Sequence, residues 1–202
     1  RGEETADLDR ASVVLPLVTS WPDSSKPIPF NIARLISNGN SSESYRKRKL
    51  FGGETKQHQP GNKPVAVPFE NHQMGLNICF DSCFPSVIRE TARMSDFVAL
   101  PTIDPESPHG FLAAMHAAYT PIRSAETGMA IYRADGYAYS MATDGYGNVV
   151  AETGIGPSVT LAPFTTPDKT RPIAMWVGDG VLWLCGAAFI AGCFWKPKQV
   201  DA

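Results

Sequence analysis

Short apolar, β-branched runs alternate along this chain with turn signals and helical patterns, and that alternation restricts it to an α/β architecture. Residues 11–18 read as a strand, closed by the polar, proline-rich stretch 20–29. Residues 30–36 form a second, ended by the turn-forming NGNSS at 38–42. Two more runs follow at 64–69 and 74–80, the latter aimed at Cys79. Residues 85–94 read as a helix because Pro85 suits a first helical turn. The run 97–100 is continuously apolar, as in a strand buried on both faces. The Ala-rich 110–119 is helical, and 130–132, 137–143 and 149–152 read as hairpin strands joined by DGYG at 144–147. Strand–helix–strand units followed by hairpins predict strands that face a helix layer on one side and a second sheet on the other.

The 202 residues suffice for one well-buried domain, and 43% hydrophobic with 19% charged residues exclude a disordered chain. A net charge of −2 gives no electrostatic reason to expect nucleic acid as a partner. The one basic run is RKRK at 46–49, a pattern that usually marks a solvated surface. The cysteines fall in two pairs, Cys79/Cys83 and Cys185/Cys193, without CxxC spacing or a His cluster, so no metal site is expected. Nothing in the sequence calls for a cofactor.

The tail differs in character. Ile173–Trp195 carries a single charge, Asp179. As one helix it would reach ~34 Å, enough for a bilayer core of ~30 Å. Trp176 and Trp195 stand near its ends, and Lys196 and Lys198 follow like cationic anchors. A transmembrane helix over 173–195 is therefore expected, with a core helix of a soluble domain as the alternative.

The most informative stretch is GLNICFDSCFP at 75–85. A cysteine at the end of an apolar strand, just before a Pro-started helix, sits where helix N-terminal N–H groups favour a thiolate and can meet an oxyanion. Cys79 is thus a candidate nucleophile. A buried structural cysteine is the competing reading of that stretch alone.

The flanks add to it. Tyr45-Arg46-Lys47 leads through Lys49 and Leu50 into FGGE at 51–54, and Arg123, Glu126, Arg133, Ser140, Asp144 and Gly147 follow the Cys79 stretch at characteristic spacing. In order and spacing these residues, over roughly 11–152, resemble the nitrilase (carbon–nitrogen hydrolase) superfamily, and more narrowly its apolipoprotein N-acyltransferase branch. The resemblance implies Cys79 as nucleophile, Lys47 as the cation for the tetrahedral oxyanion, and Glu54 as a second carboxylate that positions the lysine or the acceptor amine. It implies Asp81 and Asp104 as substrate-binding residues, Asp81 standing where the acyltransferases usually carry Glu. Asn31 matches an asparagine shortly before the lysine, which places the superfamily's general-base Glu upstream of Arg1. Cys83 is expected to pack behind the nucleophile, and His116 to make a structural hydrogen bond.

The implied fold is a four-layer α-β-β-α sandwich, nitrilase-like, over residues 1–165, followed by the transmembrane helix. The implied function is acyl transfer from a phospholipid donor, through a Cys79 thioester, to the N-terminal amine of a lipoprotein acceptor. The implied place is the bacterial inner membrane, with the catalytic domain on its periplasmic face and residues 197–202 cytoplasmic. A soluble amidase or nitrilase-like hydrolase is the alternative, and an inactive membrane-bound relative a third.

Overall fold

The computed structural model describes residues 13–18, 29–37, 40–104, 110–156 and 171–194. The expected domain end at 165, and Trp195, Lys196 and Lys198, lie outside them.

Two sheets form. In the first, β1 (Val13–Val18) pairs antiparallel with β2 (Asn31–Ser37), which also pairs with β3 (Asn40–Ser41) and with β4 (Tyr45–Arg46). The second holds β5 (Val65–Phe69), β6 (His72–Leu76), β7 (Phe97–Thr102), β8 (Ala130–Asp135), β9 (Met141–Thr143) and β10 (Val149–Glu152), ordered β10-β9-β8-β7-β6-β5. The central trio β6-β7-β8 is parallel and its flanks are antiparallel. The crossovers of that trio are α1 (Pro85–Ala92) and α2 (Phe111–Thr127).

Side-chain alternation in the parallel strands builds two cores. Phe97 and Ala99 of β7, with Ala130 of β8 and Val65, Val67, Met74 and Leu76, meet Ala33, Leu35 and Tyr45 of the first sheet. Val98 and Leu100 of β7 and Ile131 of β8 point the other way, onto Ile88 of α1. A period of two thus places Phe97–Leu100 alternately in the two cores, which is why that run lacks polar alternation. Gly75 lets α1 sit close on β6: a Cβ there would lie 2.5 Å from Thr91 Cγ2 and 2.7 Å from Ser95 Oγ. Sheet, sheet and helices make three of the four expected layers. A helix layer on the outer face of the first sheet is not among the described elements.

The tail corrects an expectation. A single helix over 173–195 is not formed: α3 (Ile173–Val177) stops at Gly178, and α4 (Gly180–Phe194) begins after Asp179. Gly178 has φ 53°, outside helical geometry and suited to glycine, and Asp179 turns back to accept from Arg89 at 3.3 Å. The 15 residues of α4 reach ~22 Å, short of a ~30 Å hydrocarbon core. No described helix is long and apolar enough to cross a membrane. Every residue of α4 after Gly180 is nevertheless exposed, Trp183 and Phe194 by 80% and 82%.

Candidate active site

The C-terminal ends of β6, β7 and β8 converge, the usual place for a site in a parallel sheet. Past β6 the chain leaves extended geometry at Cys79, whose φ is 47°, and winds into a 3-10 turn, Cys79–Cys83, before Pro85 opens α1. A non-glycine residue in that left-handed region is held there by its surroundings. Ser82 Oγ donates to the Cys79 carbonyl at 2.9 Å, and His116 Nε2 lies 3.2 Å from the same oxygen.

Of the basic run, only Arg46 is exposed. Lys47 is 2% exposed and donates to Glu54 Oε2 at 2.6 Å. Arg48 pairs with Glu90 at 2.7 Å, while Arg46 and Lys49 lie over the rings of Phe30 and Phe84. Glu54, on the 3-10 turn Gly52–Lys56, also accepts from Asn31 Nδ2 at 3.0 Å and the Phe51 N–H at 2.8 Å. Burial alone would raise its carboxyl, but these bonds and the Lys47 charge outweigh burial and hold it below the ordinary value. Glu54 is therefore the anchor of Lys47. The Lys47 ammonium in turn acts on the Cys79 thiol, favouring its charged form.

Asp81 and Asp104 take different positions. Asp81 is fully buried and does not line the cavity at Cys79, unlike a side chain that meets substrate. Its Oδ2 accepts from Tyr45 Oη at 2.7 Å and the Ile78 N–H at 3.0 Å, and its Oδ1 from the Arg48 and Lys49 N–H groups at 3.2 and 2.9 Å. It braces the lysine-bearing loop against the turn that carries Cys79. Burial pushes its carboxyl up despite these bonds, and burial with the Asp81 charge pushes the Tyr45 phenol well up. Asp104 does reach the cavity wall, but both oxygens are engaged, Oδ1 with His116 Nδ1 and Oδ2 with Arg133, each at 2.6 Å. The structure thus brings Cys79, Lys47, Glu54 and Asp104 together and places Asp81 behind them. Asn31, Tyr45, the Ile103 N–H that bonds the Cys79 sulfur, and Arg133 were not assigned roles from sequence. Asn31, Tyr45 and Arg133 stood among the matching positions of the resemblance, and only the Ile103 N–H carried no sequence signal.

Cys79, Asp104 and His116 could hold a metal ion, their ligand atoms lying within 4.8 Å of one another. The mutual hydrogen bond of Asp104 and His116 already occupies much of that capacity. Beside them lies a cavity of about 270 Å³ with Phe51, Phe80, Leu112, Met115 and Tyr119 among its walls.

The thiol differs from the sequence reading. Burial, as the largest influence, raises the Cys79 pKa above the usual 9.0. Lys47, the Ile103 N–H and Arg133 pull it down and Asp104 pushes it further up. Residue 79 opens a tight 3-10 turn and is largely desolvated, so no long helix end compensates. Cys83 is raised further, to about 11. In the free protein, iodoacetamide labelling of Cys79 should therefore climb about tenfold per pH unit up to and beyond pH 9. Peptide mass mapping across pH 6 to 10 checks this, and a plateau already reached at pH 7 would contradict it.

A family model described as carbon-nitrogen hydrolase matches residues 6–165. The chain belongs to the carbon-nitrogen hydrolase family. No curated protein matches it. Similar solved structures include a cysteine-to-alanine mutant of the amidase from Nesterenkonia sp. AN1 in complex with butyramide (TM-score 0.63, 21% identity, 77% of this chain and 63% of that one). They also include a glutamate-to-glutamine mutant of that amidase showing Michael addition of acrylamide at its active-site cysteine (TM-score 0.67, 21% identity, 89% and 72%). At this identity the likeness shows the fold, and the chain spans less than two thirds of the first of these structures.

Proposed function

We propose that this carbon-nitrogen hydrolase domain is a thiol-dependent acyltransferase whose donor carries a long apolar acyl chain. The observation that carries this reading is the apolar cavity against Cys79, walled by phenylalanine, leucine and methionine together with the exposed Ile103. Such a cavity suits hydrocarbon better than a small polar amide.

The Cys79 thiolate attacks the ester carbonyl of a phospholipid, and the buried Lys47 ammonium offsets the charge on the tetrahedral oxygen. The lysophospholipid leaves as an alcohol by taking up the proton that the Cys79 thiol gave up, and a thioester remains on Cys79. The N-terminal amine of a lipoprotein then attacks that thioester, forming an amide and returning the thiol. The resemblance to apolipoprotein N-acyltransferases supports these partners, and it supports a place on the periplasmic face of the bacterial inner membrane. The apolar α4, exposed throughout after Gly180, is in keeping with a lipid surface.

Amide hydrolysis is the second reading, favoured by the amidases among the similar folds. Intact mass of the full-length protein after incubation with phospholipid vesicles or with butyramide separates the two. A fatty-acyl adduct on Cys79, transferred to an added lipidated cysteinyl peptide, is the expected result. Turnover of butyramide with no adduct from phospholipid would establish the hydrolase instead.

A further inference from the structure

A chain of buried charges runs behind the cavity and ends on the backbone of Cys79. Arg133 lies between two aspartates, its NH2 group 2.6 Å from Asp104 Oδ2 and 2.8 Å from Asp135 Oδ2, and its Nε donates to the Tyr139 carbonyl at 3.0 Å. The side chains of Arg133, Asp104 and Asp135 are 0%, 5% and 0% exposed. Asp104 Oδ1 then meets His116 Nδ1 at 2.6 Å. Across the ring, Nε2 stands 3.2 Å from the Cys79 carbonyl oxygen and 3.1 Å from Ser82 Oγ, which itself donates to that carbonyl. Buried charges of this kind are rarely better for stability than apolar side chains of equal volume, so their retention points to something they hold in place.

What they hold is a strained residue. Cys79 and Glu70 are the two non-glycine residues with positive φ among those described, and Glu70 lies in an exposed turn. The backbone twist at Cys79 turns its carbonyl out of the sheet ladder and toward Ser82 and His116. We infer that His116 is a positioning residue: with Ser82 it grips the Cys79 carbonyl and keeps the peptide in the left-handed conformation that presents Sγ to the cavity, while Asp104 and Arg133 fix the imidazole. Without that grip the peptide relaxes toward negative φ and carries Sγ away from the Ile103 N–H and the Lys47 charge. The inference rests on Cys79 being the reactive thiol of the proposed acyl transfer.

Three variants test it, read by the rate at which iodoacetamide labels Cys79 and, where turnover is measured, by kcat against KM. His116→Gln keeps an N–H donor near the Nε2 position, His116→Asn keeps only a partner for Asp104, and His116→Leu keeps neither. Labelling and kcat should fall roughly 10- to 100-fold in the Asn and Leu variants with KM little changed, the scale expected when a reactive group is displaced by about 1 Å. The Gln variant should stay within a few-fold of the parent. Equal rates in Gln and Asn variants of matched melting temperature would overturn the inference, and so would a folded Leu variant with the parent's labelling rate. Because Gln and Asn alone decide the matter, failure of the Leu variant to fold does not protect it. Cys79→Ser run in parallel separates the two levels. Activity surviving that change removes Cys79 as nucleophile, whereas the grip on its carbonyl stands or falls on labelling alone.

Discussion

Replacing Cys79 with serine is expected to abolish the covalent acyl intermediate and to lower turnover by roughly 10⁴–10⁶-fold, the range seen when a covalent nucleophile is removed. The side chain would still fill its place in the turn, so folding should be retained and the loss should lie in chemistry. A hydroxyl is a far weaker nucleophile than a thiol, and no described base stands beside it to compensate: Glu54 is bound to Lys47, Asp104 to His116 and Arg133, and Asp81 to Tyr45. Cys83→Ser is the matched control. Cys83 shares the cavity wall, but its thiol is raised to about 11 and it lies at the far end of the turn. That variant should keep turnover within a few-fold. Intact mass after exposure to an acyl donor, with the adduct mapped to one peptide, measures both. An adduct that persists in the Cys79→Ser protein would move the chemistry elsewhere.

Lys47→Ala should cost about 10²–10³-fold in the acylation rate, the scale set by losing one oxyanion-stabilising group. Lys47→Arg should not restore it. The ammonium is 2% exposed in a packed position, and a planar guanidinium needs different space and directs its donors differently. The same variant carries a stability signature. In the parent, Glu54 titrates below its usual value of 4.5, so its contribution is fully present above that value and is lost as pH falls through the lower, folded one. Removing Lys47 should flatten this acid limb, visible as a smaller drop in melting temperature between pH 5 and 3. Wild-type acylation in Lys47→Ala, or an unchanged acid limb, would show that the pair does not play the assigned part.

Much of this was legible in the residues. β7 could be placed because its buried positions 97–100 leave an uninterrupted apolar run, and α1 because Pro85 marks its first turn. Cys79, Lys47 and Glu54 were singled out through the family resemblance, and the structure joins Lys47 to Glu54 directly. Asp81 was harder. A carboxylate two residues after a candidate nucleophile reads as a substrate contact, and only the fold reveals four protein donors around it. The thiol shift was misread for a related reason: proximity to a helix start is visible in sequence, whereas desolvation is a property of the packed fold. The tail was misread because hydropathy counts residues and does not register that Gly178 can break a helix that its neighbours favour. His116 looked structural from its helix, and its reach to the Cys79 carbonyl needed the crossover to be folded.

The brace made by Asp81 has a consequence for how activity can be lost. Lys47, Glu54 and Asn31 belong to the first sheet and its loops, while Cys79, Asp104, His116 and Arg133 belong to the second. The working site is therefore a seam, present only while the two sheets are docked. A molecule whose first sheet had lifted away could keep the strand ladder of the second and most of its backbone amide protection, yet its cysteine would have lost its cation. Enzymatic silence could then precede any loss of secondary structure on heating or dilution into mild denaturant. The earliest amides to exchange should be those of Arg48 and Lys49, whose N–H groups reach across the seam to Asp81.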